Sequence, residues 1–577
     1  MSLENSLRVP TIPLARESTV LPPSDKIPSF VLRAESRSYS HQYSNIYYLR
    51  LQLLKRFVLA RARRRWKEVA GDPPYVERVL EVVKGQLCFI VGTVYMDMPL
   101  KPNVLEDIAH DHSLPAPPPR PKYYSSDDQV MLEDESGRVV LVGAPVRSAN
   151  LVTGVVLAAL GAETSGGEFE VIDVCFAGMA PQPSAGLEWR KEDATDVEKE
   201  EKMDVDGGTA VEEQDDGEWV ALVSGLDVGD PSPADAQLQM LVEYLTGEAG
   251  GAEDQARTAE VSRLIIAGNS LSPAISTNGA TNEEDKADRK ARRYGNDTTS
   301  FSPHPTLALS AHLLDLARSM PVHILPGPSD PAGTLLPQQA FPQAMFRGAS
   351  AYASFSCETN PTYIRMGPSA EASESAQPPA TKNGKGKQKA DASTSRTRQS
   401  PGLPAPTGGP SCTLLVTSGQ PVDDMFRYVA TPPVTRLSLA ASSLRWRHLA
   451  PTAPDTLWCH PYFTTDPFVI TETPDVYVVG NQPRFATRVV EERGWGPRRR
   501  KVNVEDGDGV DEEEIDESPP EGEGEVGMEG EEGVKRCRIV LVPRFRETGT
   551  LVLVNLRTLA VRTVQFAVEG MSAGGER

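Results

Sequence analysis

The chain has 577 residues and a formal net charge of −21, with 39% hydrophobic and 24% charged residues. That length suffices for two or three domains with a sizeable core. No run of eighteen apolar residues occurs and the first thirty residues show no signal-type apolar segment, so neither a membrane-spanning helix nor a membrane partner is expected.

The acidity is local. Residues 188–218 carry fourteen Asp/Glu against four Lys/Arg, and residues 505–532 carry fifteen acids and no base. The remainder sums to about +4, so the folded body is near neutral. Six cysteines without a Cys-x-x-Cys pair argue against a zinc ribbon or a redox motif. Four of them (Cys88, Cys175, Cys412 and Cys537) lie in or beside apolar strand-like runs, where a reduced thiol is a small hydrophobe. A reduced, soluble, intracellular protein is expected.

Residues 1–44 are rich in Pro and Ser and read as an extended arm. Residues 45–84 open with a helix in which Ile46, Leu49, Leu53, Phe57 and Ala60 recur at three- and four-residue steps. Arg50, Lys55, Arg56, Arg61, Arg63, Arg64, Arg65 and Lys67 make it basic. A solvated basic face is the plainer reading; a phosphate-backbone contact or import signal is the alternative.

Residues 85–187 show five short strands with Gly at the bends, a pattern that predicts a small Greek-key barrel of the OB type. Its strands are mostly aliphatic and its hairpin is acidic (Glu133, Asp134, Glu135), which favours a protein-facing or structural barrel over one that stacks bases. The acidic stretch 188–218 reads as a disordered insertion.

From 219 to 570 apolar strands repeatedly run into polar, Gly-containing loops, and α/β folds place their ligands at such strand ends. The five loops are Ser224-Gly225-Leu226, Gly268-Asn269-Ser270, Gly327-Pro328-Ser329-Asp330, Ser418-Gly419-Gln420 and Gly480-Asn481-Gln482-Pro483. Helices are predicted around Leu238–Leu245, with Gly247 as a stop, and near Thr306–Ser319. Insertions are read at about 272–300, 367–411 and 498–534, and 571–577 as a tail. The repetition predicts one large sheet-based unit with long surface insertions.

The ordered segments Tyr47–Phe57, Gly92–Ile108, Leu222–Gly229, Leu264–Leu271, Leu325–Pro331, Leu336–Gln339, Thr359–Ile364, Thr417–Tyr428, His448–Ile470 and Val476–Phe485 resemble the small (B) subunits of DNA polymerase delta. The resemblance covers most of residues 40–570. It implies an α+β or α/β chain: an OB-type β-barrel joined to a calcineurin-like phosphoesterase β-sandwich flanked by helices, with a basic N-terminal helix and long disordered insertions.

The chemistry of that sandwich can be compared motif by motif. Two-metal hydrolysis needs cations held about 4 Å apart by carboxylates and imidazoles. The Asp-x-His motif of an active enzyme falls on Ser224 and Leu226, and Gly-Asp-x-x-Asp places Asn269 and Ser272 at its two acid positions. The Gly-Asn-His-Asp/Glu loop keeps Gly327 and Asp330 but has Pro328 and Ser329 where Asn and His belong. Gly-His-x-His falls on Asn481 and Pro483. A neutral amide bridges hard divalent cations poorly. His460 lies near an isolated ligand position of the enzymes but has no anionic partner in its motif; a loop or interface side chain is the plainer reading. His323 reads as a core or edge residue, Asp423 and Asp424 as a turn or helix start, and the Gly-x-Ser-x-Gly match at 570–574 as chance.

The resemblance therefore implies a non-catalytic subunit without cofactor or metal. It would bridge the metal-binding C-terminal module of the polymerase delta catalytic subunit to the third subunit of the complex, touching DNA only indirectly or weakly. Members of the family are also shared with polymerase zeta. A nuclear location is implied, and Arg498, Arg499, Arg500 and Lys501 suit an import signal. Two alternatives stay open: an active metallophosphoesterase or 3′–5′ nuclease, and a single-stranded-DNA-binding OB protein.

Overall fold

The computed structural model describes residues 18–33 except 23, then 37, 39, 43–102, 120–183, 218–229, 234–273, 304–368, 411–493 and 534–568. The import run at 498–501, the acidic stretches 188–217 and 505–532, and the match at 570–574 lie outside the described residues.

Helix α1 (Ser44–Ala70) ends at Gly71, whose φ of 71° is the left-handed conformation that closes a helix. Its buried face differs from the expected one: Ile46, Arg50, Leu51, Leu54, Val58, Ala62 and Trp66 point inward, whereas Leu53 is exposed. The reason is Arg50. Its guanidinium is fully buried and satisfied, so a charged residue occupies a core position and the apolar stripe lies about one residue from where hydrophobicity alone puts it.

Strands β2 (Cys88–Asp97), β3 (Gln129–Glu133), β4 (Arg138–Val142), β5 (Val156–Glu163) and β6 (Phe169–Phe176) close a barrel in the order β2-β3-β4-β6-β5. Strand periodicity of two divides its side chains. Cys88, Ile90, Val94, Leu157, Ala159 and Phe169 fill one core, while Phe89, Val91, Val156, Ala158 and Leu160 pack under α1.

Two six-stranded sheets follow. One has β7 (Trp219–Val223), β8 (Val261–Ala267), β9 (Val322–Leu325), β10 (Phe355–Cys357), β16 (Thr550–Asn555) and β17 (Val561–Gln565), in the order β10-β9-β8-β7-β16-β17. The other has β1 (Ser18–Leu21), β11 (Thr362–Pro368), β12 (Cys412–Thr417), β13 (Val476–Gln482), β14 (Ala486–Arg493) and β15 (Val534–Pro543), in the order β1-β11-β12-β13-β15-β14. Val220, Leu222, Ile265 and Leu325 of the first sheet meet Ile364, Leu414, Val416, Val476, Val478 and Val540 of the second in a sandwich core. The outer face of the first sheet lies under α2 (Ala234–Thr246) and α3 (His304–Ser319), which supply Leu238, Leu241, Leu309 and Leu313. The central strands are buried along their whole length, as expected for strands covered on both sides.

The outer face of the second sheet (Leu415, Tyr477, Val479 and Ile539) shares one core with the barrel interior, through α4 (Gln420–Arg427) and α5 (Arg436–Trp446). Strand β1 lies within the stretch read as an extended arm, and β11 runs two residues into the insertion read at 367–411. His323 is a core residue, only 3% exposed, with Arg263 at 3.0 Å and Glu358 at 3.0 Å on its two ring nitrogens. Asp423 and Asp424 fall in the first turns of α4. Cys88, Cys175, Cys412, Cys459 and Cys537 are buried free thiols.

Candidate functional site at the strand ends

The parallel arrangement of β7, β8 and β9, and of β12 and β13, brings the five glycine loops to one edge of the sandwich. Glycine decides how closely they meet. A Cβ on Gly327 would stand 2.3 Å from Asn269 Oδ1 and 2.4 Å from its backbone nitrogen, and one on Gly480 would stand 2.3 Å from the Ala267 carbonyl. The loops thus pack backbone against backbone, which no side chain at those positions permits.

Neutral groups and main-chain bonds hold the positions singled out from the sequence. The buried Ser224 Oγ donates towards the Val542 and Pro543 carbonyls at 3.2 and 3.1 Å and accepts the Asn481 N–H at 2.8 Å. Leu226 is buried among the apolar side chains under α2 and α3. Asn269, at a left-handed φ of 54°, accepts the Ser329 N–H on Oδ1 at 3.1 Å. Ser272 N–H donates to the Val228 carbonyl, and Ser329 Oγ to the Leu271 carbonyl. Asn481 Nδ2 donates to the Ser418 and Ala267 carbonyls at 2.9 and 3.3 Å. Pro328 and Pro483 are exposed.

Asp330 is the carboxylate within this group, and both its oxygens are engaged by main chain: Leu271 N–H on Oδ1 and Gly327 N–H on Oδ2, each at 2.8 Å. Burial pushes its carboxyl up to about 6, against the opposing pull of those N–H donors. The side chain clamps the second and third loops together. His460 is buried in an aromatic setting, with ring centroids 5.3 Å from Tyr39 and 5.0 Å from Tyr462, and its backbone N–H donates to the Leu336 carbonyl at 2.8 Å. Among the described residues, no group of three or more His, Cys, Asp or Glu is placed to hold a metal ion.

Sequence reasoning singled out the segments Leu336–Gln339 and Thr359–Ile364 but assigned no role to the polar network that their side chains form behind these loops. Asn360 Nδ2 reaches Gln338 Oε1 at 2.7 Å and Ser418 Oγ at 2.6 Å, and Gln338 Nε2 donates to the Gly327 carbonyl at 3.2 Å. From composition alone the signal is two amides set among prolines (Leu336-Pro337-Gln338 and Asn360-Pro361), a pattern equally usual in solvated turns.

Beside the loops lies a cleft of about 310 Å³ whose lining includes Asn481, Pro483, Asp423, Arg427, Arg436 and Arg544. Asp423 accepts from Arg436 Nε at 3.1 Å; burial raises its carboxyl and the Arg436 charge partly offsets this. Lys122, 3.5 Å from the centroid of the Phe426 ring, is held down to about 8, first by burial and then by the Arg436 charge.

A second polar cluster ties α1 to the sandwich. Arg50 donates to Asp466 Oδ2 at 2.9 Å, to the Pro451 carbonyl at 2.7 Å and to the Ala453 carbonyl at 2.8 Å. His448 Nε2 also meets Asp466 Oδ2, at 2.9 Å. Burial alone would raise the Asp466 carboxyl, but the His448 imidazole and the Arg50 guanidinium outweigh it and hold it well below the usual range.

Comparison with known proteins gives a consistent picture. Residues 42–174 match the family model described as the DNA polymerase delta subunit OB-fold domain. Residues 220–369 and 409–487 match the family model for the B subunits of DNA polymerases alpha and epsilon. The chain is 32% identical to a DNA polymerase delta small subunit of Arabidopsis thaliana, over 92% of each chain. It is 29% identical to DNA polymerase delta subunit 2 of Drosophila melanogaster, over 94% of this chain and 97% of that protein. With the small subunit of Saccharomyces cerevisiae it shares 28% identity, over 93% and 92%.

Proposed function

We infer that this chain, which belongs to the family of DNA polymerase delta small subunits, serves as a non-catalytic accessory (B) subunit of that polymerase. In this role it is a scaffold in nuclear DNA replication and repair. It bridges the C-terminal metal-binding module of the catalytic subunit to the third subunit, and the same surfaces are open to use with polymerase zeta. The working units are a helical segment at 45–84, the barrel at 85–187 and an inactivated phosphoesterase-like unit at 219–570.

The observation that carries this reading is the state of the five strand-end loops. At the positions where a hydrolase holds two cations, Ser224, Asn269, Ser329 and Asn481 are hydrogen-bonded to main chain, and Leu226 and Pro483 offer no ligand atom. Asp330 is a carboxylate engaged by two backbone N–H groups. A hydroxide shared between two metals needs anionic oxygen and imidazole at several of these positions at once. Shape is retained and the ligand atoms are missing, which suits a scaffold.

Co-expression with the C-terminal region of the catalytic subunit, followed by gel filtration, tests the role. A stable co-eluting complex is expected, and its absence would refute bridging. Obligate subunit interfaces bury upwards of ~2,000 Å², so the isolated chain should be the less stable species. A parallel assay of the purified chain with Mn²⁺ or Zn²⁺ should give no phosphodiesterase turnover; sustained turnover would restore the hydrolase reading. Tight, salt-sensitive binding of oligonucleotides by the chain alone would favour a strand-binding barrel.

A further inference from the structure

The cleft beside the strand-end loops gathers three guanidinium groups from three places in the chain: Arg427 at the end of α4, Arg436 at the start of α5 and Arg544 just after β15. Each is already engaged, Arg436 by Asp423 in the lining at 3.1 Å, Arg427 by Asp424 at 3.9 Å and the Tyr123 hydroxyl at 3.1 Å, and Arg544 by Glu547 at 3.0 Å, so a ligand would meet the N–H groups these bonds leave over. The remaining lining is mixed: Pro121, Pro483 and Phe426 are apolar, and Asn481 adds an amide. The Phe426 ring is engaged by the Arg436 guanidinium at 4.1 Å and the Lys122 ammonium at 3.5 Å from its centroid. It is the aromatic residue in the lining, so the cleft lacks an open platform on which a nucleobase could stack.

These features select a ligand chemistry. Guanidinium forks match carboxylates and phosphates alike in a bidentate manner, so the neighbouring charge decides between them. Asp423 would repel a phosphate dianion about twice as strongly as a single carboxylate, because Coulomb energy scales with charge. The Pro121, Pro483 and Phe426 surfaces ask for apolar flanks between the charges. We propose that this cleft docks an acidic peptide segment of a partner subunit, in which Asp or Glu side chains alternate with an apolar residue. This rests on the accessory-subunit role and goes beyond it by naming a place and a chemistry for contact.

The test uses the full chain and a fluorescein-labelled peptide of alternating Glu and Leu, read by fluorescence polarisation at low and high salt. A matched peptide of Gln and Leu and unlabelled inorganic pyrophosphate serve as controls. The acidic peptide should bind saturably and more weakly as salt rises, and the Gln peptide should not bind. Arg427→Glu and Arg544→Glu should each weaken binding by about tenfold or more, with circular dichroism confirming that the variants fold. Equal binding of the Gln peptide, indifference to both charge reversals, or displacement by pyrophosphate at lower concentration than by unlabelled acidic peptide would each overturn the proposal. Gel filtration with the catalytic subunit's C-terminal region separates the two readings. If the complex assembles while the peptide fails to bind, the cleft assignment alone falls; if neither occurs, the accessory role falls with it.

Discussion

Arg50 shows how a single charged residue can hold distant segments together. It lies in α1, yet its bonds run to Asp466 and to the carbonyls of Pro451 and Ala453, some four hundred residues away in sequence. Removing one partner of a buried ion pair leaves the other uncompensated, so Arg50→Ala should cost about 3–5 kcal/mol, read as a lower denaturant midpoint in urea. His448 adds a pH dependence. Its imidazole is held down to about 4, by burial and then by the Arg50 charge, with Asp466 opposing. An unfolded imidazole titrates near 6.5, so between pH 6.5 and 4 the unfolded chain binds the extra proton and the stability from neutral His448 is lost as pH falls. His448→Gln keeps an N–H donor for Asp466 but does not titrate. Its melting temperature should therefore fall less than that of the parent across this window; an equal slope would acquit His448. None of this was legible in the sequence, because Arg50 sits in a run of basic residues and only the fold tells it apart from its solvated neighbours.

At the scale of elements, the strand-and-glycine pattern was the most readable feature. Strands Trp219–Val223, Val322–Leu325 and Thr550–Asn555 stand where continuous apolar runs predict them, since burial on both faces leaves no polar alternation to confuse the pattern. The misses have a common cause. Strand β14 is an edge strand with Arg488, Glu491, Glu492 and Arg493 facing outward or to the side, and α5 is buried at Leu439, Ala440, Ala441, Ser443, Leu444 and Trp446, so its short sequence shows no clear amphipathic period. Both are held by neighbours more than by their own composition. The loops give a sharp prediction. Gly327→Ala places a methyl on Asn269 and should destabilise by about 1–3 kcal/mol through overpacking. Gly333→Ala, six residues on, meets nothing within 4 Å and should be neutral or slightly stabilising. Thermal unfolding of the two variants side by side checks the contrast, and an equal effect would mean that the loops are not interlocked.

For the molecule as a whole, the barrel and the sandwich share one apolar core through α4 and α5. Calorimetry should therefore show a single cooperative transition for the described body; two well-separated transitions would mean that the barrel unfolds independently. Composition predicted the two kinds of sheet but not this fusion, because a shared core depends on which faces meet and not on what any one strand contains. The short strand β1 reaches across the same body to cover the margin of β11, pairing Ser18 to Leu21 with Pro368 to Arg365. Proteolytic trimming just beyond Leu21 would strip that border and leave a ribbon of unmatched amides and carbonyls ready to template a neighbour. The clipped species should then sediment faster as it is concentrated, while the intact chain does not. Strand β1 would thus act as a guard against self-association.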